Sequence, residues 1–439
     1  MITINTEYEK IIRENLKENQ IAGKEIMSMI RRSPLYYHDK LVYTLQIPKI
    51  FTRSEIDHFQ KIVNTTYRIF EKVIEHYLAD PDYRALFPFS KELEDLILTP
   101  SLYPCPLPIA RFDIFYDEES TDFKFCEINT DGTSAMLEDQ ILSDLLSENP
   151  AHQIIRQKYE LRSFELFDSW VNTFMEIYAS YQKKIEKPNV AIVDFLENAA
   201  ITEFEEFERR FRKAGISCKI CEITELIYEN GHLYDSSGYR IDLIYRRAVT
   251  SDIMNRIDQI RPFIHAVKEN AVCLIGSFRT QIIHNKWLFH VLHRSETSAF
   301  LDPSEQEFIR THIPGTNLLT SKSAAFPELR KDKDRWILKP LDSYGSQGVF
   351  AGCDDSQQKW EQHLDELRGR DYIYQEYYPP YRTINISFAE ENPDFKEYTN
   401  MSGLYVYNGK FSGVYSRLSD GGIISSLYNE RSVPTLVLE

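Results

Sequence analysis

The spacing of apolar residues changes along this chain, and each change predicts a different kind of element. Downstream of Thr52, the apolar residues Ile56, Phe59, Ile62 and Val63 recur at helical spacing, and Thr52-x-x-Glu55 in front of them is a capping-box pattern. The first hundred residues therefore read as an α-helical lead-in. Between Ile109 and Asn129 the period drops to two, with IARFDIFY, the polar loop DEESTD and then FKFCEIN, which predicts a hairpin. From Val190 to about Gly276, VAIVDFL, SCKICEI, IDLIYRR and AVCLIGS alternate with helical stretches, one of them running through Glu205 to Lys213 and closed by Gly215. Strands alternating with helices imply a parallel α/β unit. Beyond Lys286, strands are predicted at RWILKP, GVFAG, YIYQEYY, TINISFA, GLYVYNG and FSGVYSR, with a helix near Ser356 to Arg368. The fold class is α/β in the middle and α+β after it.

The hairpin concentrates the polar chemistry. Side chains on a strand alternate faces, so Arg111 and Asp113 share one face of the first strand and Glu127 and Asn129 one face of the second. Closing the loop with Asp117 against Phe123 sets Asp113 opposite Glu127 and Arg111 opposite Asn129. Like charges facing across a ladder destabilise it by up to about 1 kcal/mol. Either a hard divalent cation such as magnesium lies between them, or the face is an ordinary solvated one. On the first reading, Glu127→Gln relieves the repulsion, slightly raises the melting temperature of the empty protein and abolishes turnover.

A second candidate is WILKPLDSYGSQGVF, where a strand delivers Lys339 and a loop with Gly345 and Gly348 follows. Glycines let backbone N–H groups approach phosphate oxygens, and a lysine adds a point charge. A lone G-x-x-G is as readily a hairpin turn; the preceding Lys-Pro and the upstream Lys286 favour the phosphate reading. In DYIYQEYY, Gln375 and Glu376 sit inside an apolar strand, facing either an adenine amino edge or water. His284, His290 and His293 invite a zinc reading, but they flank a helix-like segment with Trp287, Leu288 and Val291.

Composition then removes whole classes of partner. Fifty-one Lys plus Arg against 67 Asp plus Glu give a net charge of -16, which repels nucleic acid and anionic lipid. The amino terminus lacks a basic region leading into an apolar stretch, and no apolar run approaches the roughly 20 residues that cross a bilayer. A cytoplasmic location is expected. Six cysteines scattered over 439 residues read as reduced thiols, with Cys218 and Cys221 on a strand and not in a metal site.

Taken in order, Arg-Phe-Asp, Cys-Glu-Ile-Asn-Thr-Asp-Gly-Thr-Ser, a single Lys, Leu-Lys-Pro with its glycine loop and Tyr-Gln-Glu resemble the glutathionylspermidine synthase family, a circularly permuted ATP-grasp. The likeness runs from about Tyr103 to Ser426. In ordinary ATP-grasp enzymes the metal-binding E-x-N follows the glycine loop; here Glu127 and Asn129 precede it. The resemblance implies an ATP-dependent carboxylate-amine ligase that forms an amide through an acyl phosphate, with ATP and Mg2+. It implies metal ligation by Asp113, Glu127 and Asn129, Arg111 near the transferred phosphoryl group, Arg417 beside the nucleotide, and ATP held by Lys286, Lys339 and the loop Ser343, Gly345, Ser346 and Gly348, with Gln375 at adenine and Glu376 beside it.

It also divides the chain into a helical lead-in with the metal-binding hairpin over residues 1–185, a preATP-grasp-like α/β subdomain over 186–285 and a nucleotide-binding subdomain over 286–439. Thr133 and Ser134, just past the metal strand, are expected at the carboxylate substrate. Glu197, following the strand VAIVDFL, either meets a cationic amine or caps a helix in solvent. Two departures stand out: Ser346 and Gln347 replace an arginine and a glutamate between the glycines, and Leu418 replaces a glutamate after Arg417. They bear on substrate identity more than on ATP chemistry. Small-molecule carboxylate and amine substrates are the expected partners, with a homodimer left open. An ATP-grasp kinase and an inactive ATP-binding module are the alternatives.

Overall fold

The computed structural model describes residues 4–37, 40–321, 325–342, 346–425 and 429–439. The capping box forms as the sequence predicts. The Thr52 hydroxyl accepts from Glu55 N and the Glu55 carboxylate accepts from Thr52 N, starting the helix Arg53–Ala79. That helix buries Ile56, Phe59, Ile62, Val63 and Phe70 in the main core, where Phe70 meets Phe112 edge to face at 5.6 Å.

The helix lies against a seven-stranded sheet. Its order is Tyr43–Thr44, Arg431–Val433, Lys410–Ser419, Phe395–Tyr407, Ile109–Tyr116 and Phe123–Asn129, with Arg382–Ile386 also paired to Phe395–Tyr407. Strands separated by nearly three hundred residues are therefore direct neighbours, Phe395–Tyr407 pairing antiparallel with Ile109–Tyr116.

The predicted parallel unit is present, in the order Cys273–Ile275, Leu243–Arg246, Val190–Asp194 and Cys218–Glu222. Alternation decides what covers each face. Val190 and Ile192 pack with Phe174, Phe207 and Phe211, while Ala191 and Val193 pack into the main core with Phe263 and Ile264. Cys218 and Cys221 fall in these two different layers as buried free thiols. Along the chain between Cys218–Glu222 and Leu243–Arg246, the strands Ile227–Glu229, His232–Tyr234 and Arg240–Ile241 form a small antiparallel sheet turned by Asn230 and Gly231, both at positive φ.

A four-stranded antiparallel sheet follows, Thr316–Leu318, Tyr372–Glu376, Trp336–Pro340 and Phe350–Ala351. Trp336, Leu338 and Tyr374 point to one face and pack under Trp360, Leu364 and Phe326 of two helices. Ile337, Lys339 and Gln375, one residue out of phase, line a cleft on the other face. Among the described residues no helix is long and apolar enough to cross a membrane.

Candidate active site

The hairpin strands pair as Arg111 with Asn129 and Asp113 with Glu127, but not by the route the sequence predicts. Next to the loop the register is Tyr116 with Phe123, one residue away from the expected closure of Asp117 on Phe123. A β-bulge at Cys126 takes up the difference. It also flips the parity of the second strand, so Phe123, Phe125 and Ile128 all enter the core while Glu127 and Asn129 turn the other way. The Cys126 carbonyl, released from the ladder, accepts a hydrogen bond from Lys339 Nζ at 3.1 Å.

Arg111 folds back onto Asp113, donating from Nε at 2.7 Å and Nη2 at 2.9 Å, while Nη1 reaches the Ser134 carbonyl at 3.1 Å. Arg417 donates to the same Asp113 at 2.7 Å and pairs with Glu430 at 3.3 Å. Sequence reading missed the residue that makes room for this. Gly403 pairs opposite Asp113, and a Cβ there would lie 2.7 Å from Arg111 Cδ and 2.7 Å from Asp113 Oδ1. An isolated glycine inside the strand-like GLYVY was the available signal. Glu430 and Tyr415 were missed too, having no spacing relation to the hairpin.

Glu127 stands where two cavities meet, an open cleft of about 650 Å³ and a smaller one of about 240 Å³. Its carboxylate accepts from Asn129 Nδ2 at 3.3 Å. Burial alone would push this carboxyl up, but Lys286, Arg417, Lys339 and Arg111 outweigh burial and hold it at about 2. Asp113 differs. Its complete burial, with Glu127 adding to it, carries its carboxyl above the ordinary range against the pull of Arg111 and Arg417. The expected gain in stability from Glu127→Gln is therefore corrected: four cations surround Glu127, so its charge is favourable in the empty protein.

Lys339 is buried, and its ammonium donates to Gln375 Oε1 at 2.7 Å; the Gln375 amide donates onward to Thr316 Oγ1 at 2.9 Å. Gln375, expected at adenine, thus spends its side chain on orienting the lysine, although it lines both cavities. Glu376 lines the larger cleft and accepts from Gly315 N at 3.0 Å. Lys286 lines the smaller cavity. Ser346 lines the cleft and donates to the Ile424 carbonyl at 3.1 Å, and a Cβ on Gly348 would lie 2.5 Å from Tyr372 Oη. Ser343 and Gly345 lie outside the described residues.

Two buried ion pairs tie the segment after the hairpin to the carboxyl edge of the parallel sheet. Asp131 meets Arg246 at 2.6 Å, and Glu203 meets Arg247 at 3.0 Å, with Arg247 also holding the Thr133 carbonyl. The Thr133 hydroxyl donates to the Asn129 carbonyl at 3.2 Å, and the Ser134 carbonyl accepts from Arg111 and Tyr405. Both residues therefore brace the hairpin. The Glu197 side chain is 59% exposed and pairs with Arg256 at 2.5 Å. His284, His290 and His293 do not converge, one ring nitrogen of each being bonded to a different backbone group.

A family model described as glutathionylspermidine synthase preATP-grasp matches residues 19–429. The chain belongs to that family. No curated protein matches it significantly. Among solved structures, a glutathione synthetase-like effector from Globodera pallida in its apo form aligns with a TM-score of 0.59 at 13% identity, covering 97% of each chain. A putative gamma-glutamylcysteine synthetase from Methylobacillus flagellatus aligns over 89% of this chain and 90% of its own, at 10% identity and a TM-score of 0.33, too low to carry an argument. The first likeness, together with the family match, agrees with the mixed α/β architecture of an ATP-grasp-type fold.

A glutathionylspermidine synthase family member is expected to use magnesium, and the donor set bears on that. Glu127 borders both cavities and Asn129, hydrogen-bonded to it, adds a second hard oxygen beside it, which suits an ion that needs only one or two carboxylates plus substrate phosphates. Among the described residues no three His, Cys, Asp or Glu side chains gather as a site of their own. The residues fit a cation shared with a phosphate-bearing ligand.

Proposed function

We propose that this protein is an ATP-dependent ligase that joins a carboxylate to an amine through an acyl phosphate, with magnesium as cofactor. The coarser statement, an ATP-dependent ligase, follows from the family. The observation that carries the finer reading is the ring of Lys286, Lys339, Arg111 and Arg417 around the carboxylate of Glu127, at the junction of the two cavities.

Phosphoryl transfer asks a protein mainly for positioning and charge neutralisation. Lys286 and Lys339 hold the phosphates under the loop of Ser343, Gly345, Ser346 and Gly348. Gln375 keeps the Lys339 ammonium aimed into the cleft, and Glu376 borders the base. Glu127 and Asn129, with Asp113 behind them, hold magnesium, which when bound supplies positive charge to the phosphate oxygens. Arg111 and Arg417 neutralise the transferred group. Thr133 and Ser134 border the carboxylate substrate, and Glu197 takes the amine. No side-chain nucleophile is needed, and burial, pushing the Cys126 thiol up to about 11, keeps it protonated. A cytoplasmic location belongs to the same proposal.

The test supplies MgATP with mixtures of amino acids, small peptides and polyamines, followed by nucleotide chromatography and mass spectrometry. ADP, phosphate and a new amide mass are expected. AMP and pyrophosphate would reject the acyl-phosphate route. A phosphorylated product without an amide would establish the small-molecule kinase reading, and no turnover with intact ATP binding the inactive module.

A further inference from the structure

Asp113 is completely buried, and four donors from within the protein converge on its carboxylate, three of them on one oxygen. Arg111 Nε donates to Oδ1 at 2.7 Å; Arg111 Nη2 at 2.9 Å, Asn129 Nδ2 at 3.2 Å and Arg417 Nη2 at 2.7 Å donate to Oδ2. Asp113 itself borders neither cavity, so a cation arriving from the cleft meets Arg417 before it meets this carboxylate. Arg111 and Arg417 hold Asp113 in different ways. Arg111 binds Asp113 through two nitrogens and is held by the Ser134 carbonyl as well. Arg417 gives Asp113 one nitrogen and has its other terminal nitrogen 3.3 Å from Glu430. Glu430 is a fixed anchor, its carboxylate 3.0 Å from Tyr415 Oη, which in turn lies 2.5 Å from Glu138. Arg417 also lines the larger cleft, so it is the donor a ligand meets directly.

We propose that Arg417 is an exchangeable counter-ion, occupying in the nucleotide-free protein the position on Asp113 that a divalent cation requires and staying anchored on Glu430 when that cation takes its place. A guanidinium that bridges two carboxylates gives up one contact and keeps the other. It then stands beside the incoming cation, and two like charges repel unless phosphate oxygens lie between them. Divalent cations are therefore admitted to Asp113 together with a nucleotide and excluded without one. The inference rests on the nucleotide reading of this cleft, but not on any amide being made.

The test measures Mn2+ binding by electron paramagnetic resonance and needs no turnover. Without nucleotide, Arg417→Met is expected to bind Mn2+ at least about tenfold tighter than the wild type, because a charge-assisted contact no longer competes for Asp113. Lys339→Met is the control, since it removes one positive charge beside Glu127 and no bond to Asp113. If the cation is received by Glu127 alone, the two variants gain affinity alike; the exchange at Asp113 predicts that Arg417→Met is the tighter by about tenfold. Equal affinities overturn the proposal. If circular dichroism shows Arg417→Met unfolded, the wild type decides alone: Mn2+ held tightly only in the presence of a non-hydrolysable ATP analogue supports the exchange, and tight binding without nucleotide overturns it. A failed ligase assay leaves both readouts unchanged.

Discussion

At Glu127 the charge of a single side chain decides both stability and chemistry. Its carboxyl titrates at about 2 in the folded protein against 4.5 ordinarily, so the folded state binds that proton more weakly than the unfolded chain does. The stability this supplies is fully present above about pH 5 and is lost as pH falls toward 2. Glu127→Gln is expected to lower the stability of the empty protein at pH 7 by about 1–3 kcal/mol. Urea denaturation of both proteins at pH 7 and again near pH 3 checks this, the difference shrinking at the lower pH. A variant at least as stable as the wild type at pH 7 would restore the picture of two repelling carboxylates. Arg111, Asp113, Glu127 and Asn129 were legible in the sequence because a period of two puts them on one face. Their cations were legible only as isolated residues: Lys286, Lys339 and Arg417 lie far along the chain, and nothing in their local spacing says that they converge on one carboxylate.

Among the elements, the helix Met136–Leu146 shows how the segment behind the hairpin is held. It starts at Ala135, whose φ is +79°, with no cap from that residue. Glu203, from the helix Ile201–Lys213, caps it instead, accepting from Met136 N at 2.9 Å and Leu137 N at 3.3 Å while paired with buried Arg247. Glu203→Ala leaves Arg247 buried without its carboxylate and the helix without its cap, and a loss of about 3–5 kcal/mol is expected. Chemical denaturation measures it, and a loss under about 1 kcal/mol would mean that Arg247 finds another partner or water. Most elements were readable from periodicity, including the parallel unit and the late strands. Two features were not. The small sheet around Asn230 and Gly231 carries an Asn-Gly turn signal that is easily passed over inside an α/β pattern. The bulge at Cys126 has no local signal, since its cause is the need to bury Phe125 and Ile128 on the same side.

Over the whole molecule, several buried carboxyls pull the other way from Glu127. Burial raises Asp139 and Asp194 to about 7, and burial together with Glu430 raises Glu138 to about 8. The folded state binds these protons more tightly than the unfolded chain, so stability falls as pH rises from about 4 to about 8. The net charge of -16 adds self-repulsion in the same direction. The melting temperature is expected to be higher at about pH 5.5 than at about pH 8, with Asp139→Asn losing part of that difference. A flat profile would show these carboxyls to be solvated. The bulge at Cys126 has its own consequence at this scale, in the order of folding events. A hairpin that zipped from its loop without the bulge would carry the register of Tyr116 with Phe123 onward and set Glu127 opposite Phe112 and Asn129 opposite Ala110, both completely buried positions. An unpaired carboxylate in that layer costs several kcal/mol, so the helix Arg53–Ala79 cannot dock on the mispaired hairpin. Only the bulged hairpin closes the core, and any molecule that completes folding has already aimed Glu127 at the cleft.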